Sequence, residues 1–436
     1  MIDNVRVDEI LSKAEGLEGL CKEDVTYLLK SYNFHLKERV FNLAQKIKER
    51  IYGKRVVLFA PLYISNFCQN ECLYCGFHKK NKEIQKRRLT VDEVNTEVEI
   101  LINEGVKRIL LVSSEDPLIS VDNICEFIDA IYSFKNDKGS IRRINVNIAP
   151  LSVNDFRKLK LAKIGTYQVF QETYNKEKYN IYHLSGPKSD FIYRYEAPFR
   201  ALEAGIDDIG MGVLFGLDDP INEINGLLAH VEEMKKIYGV GPHTISVPRL
   251  KYAKGAKLSY EPPYHIDDEY FCYIVAILRI AVPYTGIILS TRENKNLRDK
   301  LIDLGVSQIS AGSSTSPGGY LNRKEDEEQF SIADHRSLKE IIVSLVKKGY
   351  IPSFCTACYR KGRTGEVFME LASEGRIKNF CDKNAVLSFA EYIANFGDDR
   401  KDELKEYLFK TLDNQKDGFL IDKINEIFSG EKDIYI

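Results

Sequence analysis

Apolar and β-branched runs recur along the chain, each bounded by turn residues. They are VVLFAPLYIS from Val56, RILLVSS from Arg108, RINVNIAP from Arg143, TYQVFQE from Thr166, DIGMGVLFG from Asp208, HTISVPRL from His243, IILSTR from Ile287 and QISAGS from Gln308. Several are apolar without alternation, as strands buried on both faces of a parallel sheet are. Their starts lie 21 to 52 residues apart, which leaves room for a helix in most intervals. Thr90 followed by Glu93 makes a capping box at the head of one amphipathic pattern, which stops at Gly105; the patterns ending at Gly165, Gly205 and Gly305 stop in the same way. Eight alternating units predict an α/β fold, a (β/α)8 barrel of the TIM type.

The flanks are different. Residues 1–52 read as two or three helices and residues 322–436 as further helices interrupted by a cysteine-bearing loop, with the acidic stretch NRKEDEEQF at 322–330 as the boundary. The expected organisation is an N-terminal helical extension (1–52), a barrel (53–321) and a C-terminal helical domain (322–436). A parallel barrel gathers its active site from the C-terminal ends of its strands. Glu115, Asn147, Glu172, His243, Arg249, Arg292 and Ser313 are therefore expected at one mouth, beside the loop after the first strand.

Composition narrows the classes. With 436 residues, 44% of them hydrophobic, and a formal net charge of -2, the chain can bury a large core and has no arm of like charge to suit nucleic acid. MIDNVRVDEILSKAEGLEGL lacks an apolar leader core, and no stretch approaches the roughly 18 uncharged apolar residues of a membrane span. A cytoplasmic location with neither nucleic-acid nor membrane partners is expected. Nine cysteines with clustered spacing point, in a reducing compartment, to metal more than to disulfides.

The first cluster is Cys68, Cys72 and Cys75 in PLYISNFCQNECLYCGFHKKN, directly after the first strand. Three thiolates suit zinc or an iron-sulfur cluster. A structural zinc needs a fourth ligand, and His78 stands three residues on. A 4Fe-4S cube held by three cysteines instead leaves one iron open for a substrate. The C-x3-C-x2-C spacing on this loop resembles the radical SAM superfamily, in which S-adenosylmethionine (SAM) fills the open corner and is cleaved to a 5'-deoxyadenosyl radical. That resemblance places Tyr74 near the adenine. A second set, Cys355, Cys358 and Cys381, is spaced C-x2-C-x22-C; taken alone, a zinc knuckle or a second cube fits it. Cys125 and Cys272 lie in amphipathic helical patterns and read as buried thiols, and Cys21 carries no signal.

CTACYRKGRTGEVFM with the step to Cys381, GPHTISVPR at 241–249, RIAVPYTGIILSTRE at 279–293 and FQETY at 170–174 together resemble the FeFe-hydrogenase maturation tyrosine lyases, over about residues 56–390. The resemblance implies cleavage of the Cα–Cβ bond of L-tyrosine to p-cresol and dehydroglycine, then carbon monoxide and cyanide bound to iron at an auxiliary cluster. It implies two 4Fe-4S clusters, SAM, and a labile iron, with free cysteine as a candidate co-ligand. Cys68, Cys72 and Cys75 would hold the first cluster and Cys355, Cys358 and Cys381 the second. His243 is the chosen ligand of the labile iron, against the alternative that it caps its strand. Glu115, Glu172 and Arg200 match positions that bind the SAM carboxylate and ribose; each would otherwise be a rim ion pair. Arg292 offers a fork for the tyrosine carboxylate and Ser313 a hydroxyl. The glycines and hydroxyls of residues 310–320 either bring backbone N–H groups to an anion or form a plain turn. A ferredoxin- or flavodoxin-like electron donor and other hydrogenase maturation proteins are the implied partners. Two departures bear on the substrate: Ser314 stands where the family has an arginine, and Ser113 and Ser114 where a Thr-Gly pair is usual. The alternatives are a radical SAM lyase of aromatic amino acids like that of the thiamine pathway, and a non-catalytic iron-sulfur scaffold.

Overall fold

The computed structural model describes residues 3–324, 327–413 and 417–436. Among the described residues nine parallel strands form one sheet: β1 Arg55–Ser65, β2 Arg108–Ser113, β3 Arg143–Asn147, β4 Thr166–Glu172, β5 Asp208–Val213, β6 Thr244–Ser246, β7 Gly286–Leu289, β8 Gln308–Ser310 and β9 Ile351–Ser353. Their order is β2-β3-β4-β5-β6-β7-β8-β1-β9, and β1 also pairs with β2, so the first eight close into a barrel. All eight expected runs are strands, and helices occupy the intervals between them. The capping box at Thr90 and Glu93 forms as its spacing predicts. Among the described residues no helix is long and apolar enough to cross a membrane. Residues 325 and 326 of the acidic boundary loop lie outside the described residues.

β9 is not among the eight runs that the sequence predicts. It is three residues long, and it survives because β1 is long enough to serve three neighbours: Arg55–Val57 face β9, Val57–Phe59 face β8, and Ala60 onward faces β2. The pairing delivers Cys355, two residues past β9, to the start of β2, where Arg108 Nη1 donates to the Cys355 carbonyl at 3.1 Å. Three N-terminal helices precede the barrel, and the last, Phe34–Tyr52, packs against the helix Asp268–Ala281. Its end is fixed by buried groups: Lys48 Nζ donates to the Ile302 carbonyl at 2.8 Å, and the Tyr52 hydroxyl donates to the carbonyl of Tyr284.

Two glycines have different work from that expected or are less replaceable than they look. Gly165 does not take the left-handed turn that ends its helix; Lys163, at φ 62°, does. Gly165 is needed because a Cβ there would lie 1.9 Å from Nε of Arg143, whose buried guanidinium crosses that point. Gly226 lies within the helix Pro220–Tyr238, where alanine would gain about 1 kcal/mol of helix propensity. A Cβ there would meet the Cβ of Tyr174 at 2.3 Å, just past β4. Backbone-anchored atoms cannot retreat cheaply, and overpacking costs about 1–3 kcal/mol. Gly226→Ala is therefore expected to lower the thermal midpoint, which a scan against the parent chain measures; a raised midpoint would mean the helix yields.

Candidate functional site

The C-terminal ends of the strands open onto a cavity lined by all three thiols of the first cluster together with Glu115, Asn147, Glu172, Arg292 and Ser313. The cysteine loop is pinned on both sides. Asn66 bridges its stem, donating to the Gln85 carbonyl at 2.9 Å and accepting from the Arg87 N–H at 2.6 Å. On the other side the Glu71 and Leu73 N–H groups donate to the carbonyls of Ser185 and Tyr182. Asn70 Nδ2 lies 3.5 Å from the Cys68 sulfur and Gln329 Nε2 3.7 Å from that of Cys75, so donors already face two of the sulfurs. Burial pushes the Cys68 and Cys72 thiols up. Each thus gives up its proton only to a cation that replaces it.

His78 does not close a zinc site. Its Nδ1 faces the Glu71 carboxylate and its Nε2 the Gly255 carbonyl, both at 3.1 Å, so neither ring nitrogen is left for a metal. Among the described residues no three His, Cys, Asp or Glu side chains converge on a point as ligands of one ion do. Three thiols around a cavity wall, with hydrogen-bond donors aimed at sulfur, fit a cluster larger than an ion.

Tyr74 is buried beside Cys72. His183 Nδ1 lies 2.8 Å from the Tyr179 carbonyl and so carries the hydrogen; its Nε2 then accepts from the Tyr74 hydroxyl, also at 2.8 Å. Burial and then Lys188 pull the imidazole down to about 3, so it stays neutral in this role.

Glu172 ends β4 past a register shift, with φ 71°, a left-handed conformation that turns its carboxylate into the cavity. Lys188 Nζ donates to it at 2.7 Å, and Arg194 spans from it, at 3.7 Å, to Glu115, at 3.6 Å. Burial alone would raise the Glu172 carboxyl, but Lys188 and Arg194 outweigh it and hold it below the usual range. Lys188 is correspondingly raised: burial opposes its charge, and Glu172 is the main carboxylate that restores it. Such a pair contributes stability above the unfolded carboxylate range, and loses it as pH falls through the depressed value. Lys188→Met leaves a buried carboxylate with only the more distant guanidinium, a cost of about 3 kcal/mol. Its thermal midpoint should lie well below the parent's at pH 8, and the gap should narrow as pH falls to roughly pH 4, because without Lys188 burial pushes the carboxyl up and its protonation relieves the unpaired charge, while the parent loses its ion pair; coincident profiles would mean Arg194 suffices.

Lys188 and Arg194 were missed in the sequence, whereas Arg200 does not line the cavity. Arg200 donates to the carbonyls of Leu151 (2.9 Å) and Tyr193 (2.5 Å) and stacks on the Tyr193 ring, outside the barrel. Arg249 is likewise turned away, forked onto Glu293 and Asp268. Arg292 makes no ion pair with a described residue; its guanidinium lies 3.4 Å from the Phe330 ring centroid with its fork in the cavity. The Ser313 hydroxyl is buried in the lining with no hydrogen-bond partner among the described residues. Of the departures, Ser113 and Ser114 line the cavity, but Ser314 does not: its hydroxyl is 3.5 Å from that of Ser316, packed under Gly319.

His243 is not at this mouth. It precedes β6 and lines a second cavity at the opposite end of the barrel, with Arg55, Arg108, Gly286 and Gln308 from strand starts, Tyr52, and Cys355, Cys358 and Cys381. Buried polar atoms with no hydrogen-bond partner among the described residues crowd there: Nε of Arg55 and Arg108, Nδ1 of His243, Oδ2 of Asp208 and the Thr356 hydroxyl. Orphans of that number are costly unless a polar guest satisfies them, and thiols, an imidazole and cationic walls fit an anionic thiolate-bound cluster. The Cys381 thiol hydrogen-bonds Cys358, holding it below the usual thiol range with help from Arg363, while Cys381 itself is raised. Asp208 ties this end together: its Oδ1 accepts from the Gly365 N–H at 3.2 Å and lies 3.4 Å from His243 Nδ1.

Comparison with known proteins agrees with this geometry. A model of the radical SAM superfamily matches residues 62–231, and one of the biotin and thiamin synthesis associated domain matches residues 246–351. The 2-iminoacetate synthase of Escherichia coli K12 is 30% identical over 344 residues, 78% of this chain and 89% of that protein. The crystal structure of HydG, a maturase of the FeFe-hydrogenase, superposes with a TM-score of 0.96 at 44% identity, covering 100% of this chain and 96% of the other. HydG from Carboxydothermus hydrogenoformans gives 0.85 at 44% identity, covering 97% and 94%. With thiol sets at both ends of its barrel and this likeness along its whole length, the chain belongs to the radical SAM superfamily, in the HydG family of FeFe-hydrogenase maturases.

Proposed function

We infer that the chain is a radical SAM tyrosine lyase that cleaves the Cα–Cβ bond of L-tyrosine to p-cresol and dehydroglycine, and that dehydroglycine becomes carbon monoxide and cyanide bound to iron for the hydrogenase H-cluster. The observation that carries the reading is the pair of three-thiol sets at opposite ends of one barrel. Cys68, Cys72 and Cys75 would hold one 4Fe-4S cluster, with SAM as the remaining ligand; when bound, the pair supplies the radical that abstracts hydrogen. The protein's own part is to bind and enclose. Glu172, kept ionised by Lys188 and Arg194, and Glu115, paired with Arg194, would accept hydrogen bonds from the amino and ribose groups of SAM. Tyr74, fixed by His183, bounds the adenine. Arg292 grips the tyrosine carboxylate, and the Ser313 hydroxyl adds a contact.

Cys355, Cys358 and Cys381 would hold the second 4Fe-4S cluster, with His243 on a labile iron beside it and free cysteine as a candidate co-ligand. The barrel would carry the lyase chemistry, residues 322–436 the second cluster, and residues 1–52 a cover for the lower end. The walls of the two cavities approach one another inside the barrel. On β7 Ile288 lines the upper cavity and Gly286 the lower, and on β8 Ser310 and Gln308 do the same. Each pair is two residues apart on one face, about 7 Å. An electron donor and the other maturation proteins complete the set of partners. The test is anaerobic turnover with SAM, tyrosine and a reductant. p-Cresol with carbon monoxide is expected; p-cresol alone would mean a lyase without the second reaction, and no 5'-deoxyadenosine a scaffold.

A further inference from the structure

The loop leaving the first thiol set, HKKNKEIQKRR at 78–88, carries six lysines and arginines against one glutamate. Half of these cations are used internally. Lys86 Nζ is turned onto the carbonyls of Asn66, Phe77 and His78, Arg87 pairs with Glu93, and Arg88 pairs with Asp116. Lys79, Lys80 and Lys82 are exposed, and none has a carboxylate partner among the described residues. Unpaired like charges this close repel one another and contribute nothing to the fold.

A second loop completes the patch. Asn81 Nδ2 donates both to the Gly76 carbonyl at 2.7 Å and to the Lys254 carbonyl at 2.8 Å, and His78 holds Gly255, so residues 252–260 lie against the cysteine loop. That loop presents exposed Lys257 and two tyrosines, Tyr252 and Tyr260, that are 54% and 48% exposed and stacked with ring centroids 5.2 Å apart. Stacked aromatic rings set among lysines have the composition of an association hot spot with a charged rim. The patch is also close to the thiols. Gly76 follows Cys75 directly, and the His78 N–H donates to the Cys75 carbonyl at 3.1 Å.

We propose that this rim, Lys79, Lys80, Lys82 and Lys257 around Tyr252 and Tyr260, is the docking face for an acidic one-electron carrier protein, which delivers its electron to the first thiol set through the Cys75 loop. The inference rests on the radical SAM reading above. Unpaired surface charge acts mainly on the rate of encounter, and steered encounters weaken with salt. Interfaces of electron carriers are small, so a few lysines and one aromatic pair are enough. The carrier's gain is access: an electron crosses protein only over short distances, and here the surface is one loop away from a cluster ligand.

The test compares two reductants, a photoreduced flavodoxin of net negative charge and dithionite, by the rate of 5'-deoxyadenosine formation. Lys79→Glu/Lys80→Glu/Lys82→Glu is expected to lower the flavodoxin-driven rate about tenfold or more at low salt and to flatten its salt dependence, with the dithionite-driven rate unchanged. Tyr252→Ser should lower only the flavodoxin-driven rate. A reversal variant with parental rate and salt dependence would overturn the proposal. Should that variant fold poorly, zero-length cross-linking of flavodoxin to the parent chain decides: cross-links at Lys79 to Lys82 support the face, and cross-links confined to the opposite end of the barrel overturn it. A parent chain inert with dithionite would instead refute the radical SAM reading and leave the cross-link map as the test of docking.

Discussion

Replacing Cys72 with alanine is expected to reduce 5'-deoxyadenosine formation to background and to remove about four irons from the reconstituted protein, while the second cluster stays. The reason is positional. Cys72 is the most enclosed of the three thiols, at 4% exposure, and its backbone bridges to His183, so no other side chain can move in to replace its sulfur. Loss of the thiol itself costs the fold only about 1 kcal/mol, which separates the effect from unfolding. Iron analysis with product assay by liquid chromatography measures both arms. A variant retaining half the parental rate would mean that the sulfur is not a ligand.

The second large effect has the opposite shape. In Cys358→Ala the upper cavity is untouched, because none of its lining comes from residues 351–381. p-Cresol formation should persist within about twofold, while carbon monoxide falls to background. Cys358 shares a hydrogen bond with Cys381 and sits by Arg363, so its removal takes the thiolate from the lower set. Carbon monoxide capture by haemoglobin alongside p-cresol quantitation reads the split. Equal loss of both products would place the thiol in the fold or in the lyase step; carbon monoxide at the parental level would remove Cys358 from the second reaction.

Much of this architecture was legible in the chain. The strands announced themselves because a parallel barrel buries both faces of each strand, leaving apolar runs that need no tertiary information to recognise. Both cysteine sets were legible because thiolates at those spacings have few other uses. What failed was direction. His243 was assigned to the mouth although it heads its run, and the first residue of a parallel strand lies at the opposite end from the last. The same rule applied to Arg55, Arg108 and Arg143, which each begin a strand, would have found a cationic lower end. That the expectation names Arg200, which does not line the cavity, and passes over Arg194, which does, has a different reason. The helices Phe191–Tyr195 and Ala197–Glu203 are short and broken at Glu196, with Pro198 in the first turn of the second, so no period indicates which arginine turns inward. Lys188 lies in a 3-10 turn with no pattern at all, and only the pairing of the cysteine loop with residues 182–185 brings it to Glu172. β9 is too short to stand out, and depends on an edge of β1 that the sequence does not advertise.

The account depends on each end of the barrel holding its own thiolate-bound cube. Iron and acid-labile sulfide in oxygen-free protein, compared between the parent chain, Cys68→Ala/Cys72→Ala/Cys75→Ala and Cys355→Ala/Cys358→Ala/Cys381→Ala, test it most directly. About eight irons in the parent, about nine with the labile iron filled, about four or five in the first triple variant and about four in the second are expected. Zinc in place of iron, or a parent chain with only about four irons, would contradict it.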